Sequence, residues 1–162
     1  MPNTIIVNST PIIALSAIDK ITLLKELYGT IVIPSAVSNE INVKSNSKAK
    51  NQLDMHSDWI HIKMIKNVEQ KITFKTQLHE GEVEVIILGQ ELNAKTLIID
   101  DYLAREYAKY LGFNVVGTVG VLLSSKAKGL IDTVKPFVDK MIKNGFYLNK
   151  RLYDEILMIA NE

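Results

Sequence analysis

Apolar residues in this chain fall into two kinds of run, and the alternation between them predicts its elements. Short β-branched runs at Thr4–Val7, Thr30–Ile33 and Thr96–Ile99 are bounded by polar or turn-forming residues and read as buried strands. Asn114–Val116 reads as another short strand, and Trp59–Ile65 alternates as a strand at a sheet edge does. Between them, apolar residues recur three or four positions apart, the helical period. Ile12, Ile13, Leu15 and Ile18 predict a helix opened by Asn8-Ser9-Thr10-Pro11, with a Ser/Thr cap and a first-turn proline. Ile21, Leu24 and Tyr28 predict a second, closing at Gly29. Ser35 is placed to cap a third, with Val37 and Ile41 on one face and Glu40 beside them.

Glu82-Val83-Glu84-Val85 alternates like a strand, but the length of the segment and its Val85, Leu88, Leu92 stripe predict a mostly buried helix over Gly81–Leu92. Tyr102–Leu111 is helical and stops at Gly112, and three more helices follow at Val119–Lys128, Val134–Lys143 and Lys150–Ala160, the last capped by Asn149. Val43–Ser57, rich in serine, asparagine and lysine, reads either as a mobile excursion or as a polar helix, and Asn67–His79 carries no clear pattern. Strands separated by helices with short connections imply α/β architecture: a three-layer α/β/α sandwich with a mainly parallel central sheet. A chain of 162 residues fits one such domain, spanning 1–162. Right-handed crossovers send every strand C-terminus to the same edge, so Asn8 is expected near Asp100 and Asp101.

Composition narrows the chemistry. Cysteine is absent, which removes disulfides, thiol catalysis and thiolate metal sites. Of the three histidines, His56 and His61 lie five apart, off the helical ligand spacing, and read as surface residues. The net charge of +1 is unevenly spread: residues 43–75 hold seven lysines (44, 48, 50, 63, 66, 71 and 75) against Asp54, Asp58 and Glu69. A basic segment beside an acidic body can steer a polyanion, and a solvated lysine-rich loop looks the same in sequence. No basic stretch followed by an apolar segment opens the chain and no apolar run approaches a membrane span, so a cytoplasmic protein is expected.

What remains is oxygen. Asn8 ends the first strand, Glu40 lies on the helix after the second, Glu82 opens the helix before Thr96, and Asp100 and Asp101 follow the next strand. Oxygen donors without histidine or cysteine suit a hard cation, Mg²⁺ or Mn²⁺, which can activate water for attack on a phosphodiester. Each member also has an ordinary reading. Asp101 caps the following helix, Glu82 complements a helix N-terminus, Glu84 is a solvated neighbour, and Ser9 and Thr10 are caps rather than nucleophiles. A phosphotransferase of the haloacid-dehalogenase type also places an acidic pair after a strand, but it needs an aspartate nucleophile where this chain has Asn8.

The segments IVNSTPIIALSAID, LLKELYGTIVIPSAVSNEI, HEGEVEVIILGQEL, TLIIDDYLAREYAKYLGFNVVGTVGVLL and AKGLI span nearly the whole chain. In that order they resemble PIN-domain proteins, specifically the prokaryotic toxin-like (VapC-like) branch. The resemblance implies a metal-dependent endoribonuclease using Mg²⁺ or Mn²⁺, the toxin of a toxin–antitoxin pair, with an RNA substrate, a small antitoxin partner and a homodimer. It also implies a metal-binding set at Asn8, Glu40, Glu82, Asp100 and Asp101, with Asp101 the better match to the family's last acid and the four carboxylates catalytic. Ser9, Thr10, Arg105 and Thr118 are then expected at the nucleic acid, with Arg105 and Thr118 also placed to brace the carboxylates. The family usually has aspartate where this chain has Asn8. An amide oxygen ligates without adding charge, so the alternative is a weakly active or inactive PIN-like module that binds RNA or protein.

Overall fold

The computed structural model describes residues 3–43, 47–74 and 78–162. The chain begins with β1 (Ile5–Val7), α1 (Ser9–Ala17), α2 (Thr22–Tyr28) and β2 (Ile31–Pro34). It continues with α3 (Ser35–Val43), α4 (Ser47–Met55), β3 (Ile60–Lys63) and a 3-10 helix at Val68–Phe74. Then come α5 (Glu80–Glu91), β4 (Thr96–Ile98), α6 (Tyr102–Tyr110) and β5 (Asn114–Val116). The last three helices are α7 (Thr118–Ala127), α8 (Lys135–Lys143) and α9 (Lys150–Ile159).

Among the described residues the strands form one five-stranded sheet in the order β3-β2-β1-β4-β5, every neighbouring pair parallel. The expected mainly parallel sheet is therefore wholly parallel. Its central strands are buried at every position in β1 and β2, because helices cover both faces; this is why they read as unbroken apolar runs. β3 takes the expected edge position, but only Ile60 is buried; Ile62, on the same face by alternation, is exposed. The sheet is flanked as an α/β/α sandwich. α5 lies against β1, β2 and β4 beside α3 and α6, while α2 packs on β2 and α7.

Three local readings change. Ser9 and Thr10 belong to α1 rather than capping it; Asn8 is the N-cap residue, and its side chain makes no capping bond. The polar stretch after Val43 is helical from Ser47 to Met55, with residues 44–46, including Lys44, outside the described residues. The patternless segment Asn67–His79 contains the 3-10 helix; residues 75–77, including Lys75, lie outside the described residues. No helix among the described residues is long and apolar enough to cross a membrane.

The strand order reverses between β1 and β4. β1 feeds α1 and the elements leading to β2 on one side, whereas β4 feeds α6 and β5 on the other. The two connections leave in opposite directions and open a crevice at the C-terminal edge, where open parallel sheets keep their ligands.

Candidate functional site

At that crevice the backbone fixes the first contact. Asn8 N–H donates to Ile98 O at 2.9 Å, extending the β1–β4 ladder one residue past β1 and placing Asn8 beside the turn that carries the two aspartates. Asn8, Glu40, Glu82 and Asp101 line one cleft of about 960 Å³. Four elements supply them: the end of β1, helix α3, the first turn of α5 and the turn after β4. The approach is tight at Gly81, where a Cβ would stand 3.4 Å from both Asn8 Oδ1 and Glu40 Oε1.

Asn8 is 5 % exposed and Glu82 3 %. Among the described residues, neither the Asn8 Oδ1 nor the Glu82 Oε2 has a hydrogen-bond partner, although both are buried. The other oxygen of Glu82 accepts from His79 N–H at 3.0 Å, so one end of the carboxylate is anchored at the start of α5 and the other is left open. Burial raises the Glu82 pKa, the His79 backbone bond opposes that rise, and the neighbouring Asp101 charge adds to it. Asp101 caps α6 by accepting from Ala104 N–H at 3.0 Å, so the capping reading of this residue holds. It faces Glu82 as well, so capping and membership of the cleft are not alternatives.

Glu40 accepts from Ser9 Oγ at 2.5 Å. Ser9 is buried in the cleft wall, where its hydroxyl orients Glu40. Thr10, one residue on, is exposed at the cleft.

Asp100 turns away from this cleft. Its Oδ1 accepts from Thr118 N–H at 2.8 Å and its Oδ2 from Thr118 Oγ1 at 2.5 Å, so the carboxylate sits on the first residue of α7. Burial raises the Asp100 pKa, against the two Thr118 bonds and the Arg105 charge, which favour the ionised form. Arg105 Nη1 donates to Ile99 O at 2.9 Å. Thr118 is fully buried, so it braces Asp100 and cannot touch phosphate. Of the two roles expected of it, this is the brace of a carboxylate. Arg105 is held in the same brace.

Sequence reasoning passed over Glu84. It is 5 % exposed, not solvated. One oxygen accepts from Ala36 N–H at 3.1 Å, at the start of α3, and the other pairs with Lys71 at 2.5 Å. Lys71 also pairs with Glu80 at 2.9 Å, so this lysine neutralises the rim of the cleft instead of standing free for a polyanion. The hydrogen bonds to Glu80 and Glu84 raise the Lys71 pKa. The signal was available: α5 is apolar nearly all round, and a helix buried on every side must bury its acids too. Of the other lysines in the basic segment, Lys48 pairs with Asp19, while Lys50, Lys63 and Lys66 are exposed.

Among the described residues, no three histidine, aspartate or glutamate side chains stand close enough together to hold an ion unaided. The donors that line the cleft are mixed: two neighbouring carboxylates, an open amide oxygen and, further along, a third carboxylate held by a hydroxyl. A small hard cation takes one or two carboxylates and keeps much of its water, so this set fits it. The unpartnered Asn8 and Glu82 oxygens are the particular observation in favour, since buried acceptors without donors are costly unless a cation or water meets them.

A family model described as a PIN domain matches residues 4–162. No curated protein matches the chain.

Proposed function

This chain belongs to the PIN-domain family, whose members are usually nucleases that use divalent metal ions, and on that premise we propose that it is a Mg²⁺- or Mn²⁺-dependent endoribonuclease. The observation that carries the reading is the pair of facing carboxylates, Glu82 and Asp101, next to the open Asn8 oxygen. Two acceptors and an amide oxygen turned to one space call for positive charge.

Asn8, Glu82 and Asp101 would hold the ion, with Glu40 at its edge and Asp100 bracing the turn from behind. When bound, the ion supplies Lewis acidity toward a phosphodiester and lowers the pKa of water to the neutral range. The chain's own residues set the geometry. Ser9 fixes the Glu40 rotamer, His79 N–H fixes one end of Glu82, and Ala104 N–H fixes Asp101. Glu84 ties the start of α3 to α5 and draws Lys71 against the rim. Thr10, exposed at the mouth, is the hydroxyl left to meet a phosphate oxygen.

The test is cleavage of single-stranded and structured RNA in Mn²⁺ or Mg²⁺. The expected result is cleavage abolished by EDTA and by Asp101→Asn; activity that survives either sinks the assignment. The same reading makes the protein the toxin of a toxin–antitoxin pair with a small antitoxin. Its support is the resemblance of the quoted segments, and growth arrest on expression, relieved by a neighbouring small gene product, tests it. Asn8 favours a second reading, a non-catalytic module that binds RNA or protein. Nuclease activity present only in Asn8→Asp would decide for it.

A further inference from the structure

Three charged side chains line the acid cleft without belonging to its donor set: Lys71, Glu80 and Glu84. We propose that Lys71 is a positioning residue for that donor set. By meeting the buried charge of Glu84 it holds α3, which carries Glu40, against α5, which carries Glu82. The inference rests on the metal-site reading of the cleft.

Glu84 joins the two helices. It lies on α5 two residues beyond Glu82, and its Oε1 accepts from Ala36 N–H at 3.1 Å. That N–H is in the first turn of α3, where the helix has no carbonyl of its own to offer it. A carboxylate there also suits the helix dipole. Ala36 stands one turn before Glu40, so what fixes this end of α3 fixes the approach of Glu40 to the cleft.

A carboxylate as buried as Glu84 is tolerated only when its charge is met. Lys71 meets it at 2.5 Å on the second oxygen, and among the described residues no other cation pairs with it. The chain takes some trouble to bring this lysine in. Its 3-10 helix is tied to the far end of α5, where Glu91 accepts from Lys66 N–H at 2.9 Å and from Asn67 N–H at 2.8 Å. Gln70 Nε2 donates to Gln90 Oε1 at 2.7 Å, and Phe74 is buried with its ring edge-on to Tyr107. At the cleft end Lys71 spans Glu80 and Glu84, one turn apart on α5, while Lys63 and Lys66 are left to solvent. Without Lys71 the Glu84 charge has to seek water, and it leaves Ala36 when it does.

The test follows metal affinity and helix position separately, on the full chain. Mn²⁺ affinity is read from the electron paramagnetic resonance signal of free Mn²⁺. Protection of the Ala36 amide is read by hydrogen exchange in EDTA. Lys71→Met is expected to weaken Mn²⁺ binding by about tenfold, as loss of a group that orients metal ligands does, and to lower Ala36 protection. Lys71→Arg should keep both. The double variant Lys71→Met with Glu84→Gln keeps an oxygen for Ala36 N–H without a charge to bury, and it should recover both. Lost packing alone would not be rescued that way. Ala36 protection unchanged in Lys71→Met overturns the proposal. So does Mn²⁺ affinity retained in that variant, a double variant as weak as the single one, or an equal loss in Glu162→Gln, a distant destabilised control. A parent that binds no Mn²⁺ while Ala36 protection still follows Lys71 would overturn the metal reading and leave the positioning role standing.

Discussion

The carboxylates of Glu82 and Asp101 line one cleft, and the Asp101 charge adds to the burial that raises the Glu82 pKa, although each comes from a different helix start. Each is held there by a backbone N–H, His79 for Glu82 and Ala104 for Asp101, so they cannot simply swing apart. The fold thus sets like charges against each other at its crevice, and the strain is greatest on buried Glu82.

Removing that strain should stabilise the protein while disabling it. Glu82→Gln keeps an oxygen for His79 N–H and offers Asp101 an amide donor in place of a repelling charge. In EDTA the variant is expected to gain about 1 kcal/mol, a rise of a few degrees in Tm, and to lose cleavage. Thermal melts beside an RNA-cleavage assay check both halves.

Asn8→Asp should act in the opposite direction. It adds a buried carboxylate to two that already repel, at the one position where the open oxygen is an amide. The metal-free variant is expected to melt below the parent, and Mn²⁺ should raise its Tm by more than it raises the parent's. The pair of melts with and without Mn²⁺ measures this.

Asp101 has two duties that one substitution can separate. Asp101→Asn retains an oxygen for Ala104 N–H, whereas Asp101→Ala removes the cap of α6 and should cost about 1 kcal/mol. Cleavage should vanish in both. Equal Tm values for the two variants would refute the capping role.

Gly117 is the spacer of the Asp100 brace. A Cβ there would stand 2.8 Å from Arg105 Nη1 and 2.9 Å from Asp100 Oδ1, both held by other bonds. Its φ of −95° suits any residue, so Gly117→Ala tests space alone. The expected cost is about 1–3 kcal/mol, with cleavage falling as Asp100 leaves Thr118. Urea melts and initial cleavage rates provide the check.

Acid pH should expose opposite signs within one protein. Glu162 accepts from the N–H groups of Val134 and Lys135 and from Lys126, which holds its pKa from 4.5 down to about 2. A depressed carboxylate stabilises the fold above pH 4.5 and loses that contribution as pH falls toward about 2. Glu82 and Asp100 are raised by burial, so their contribution is complete at low pH and lost as pH climbs through their raised values. Metal-free melts across pH should therefore show Glu162→Gln flattening the acid limb and Glu82→Gln flattening the loss toward neutrality.

How much of this could be read in advance differs from residue to residue. The strand runs at Ile5–Val7 and Ile31–Pro34 were legible because burial on both faces leaves no polar position in them. The helix at Glu80–Glu91 was legible by length and stripe despite its alternating start. The 3-10 helix Val68–Phe74 was not, because so short an element needs no periodic pattern, and Lys71 gets its place from Glu80 and Glu84. Glu84 itself looked like any helix-surface acid. Only the packing of α5 against α3 put it inside.

By itself the sequence determined that this is a parallel α/β chain and that Asn8, Asp100 and Asp101 end strands at a common edge. Period and handedness suffice for that, because both are local properties that accumulate along the chain. Only the tertiary structure decided which neighbouring aspartate enters the cleft. The two are adjacent in the turn after β4, and packing separates them: Thr118, on α7, draws Asp100 away, while Ala104 N–H holds Asp101 at the start of α6, near Glu82. The resemblance favoured Asp101, but local pattern gives no physical reason to separate adjacent residues with identical side chains. Their hydrogen-bond donors do, and those donors arrive only when the helices pack.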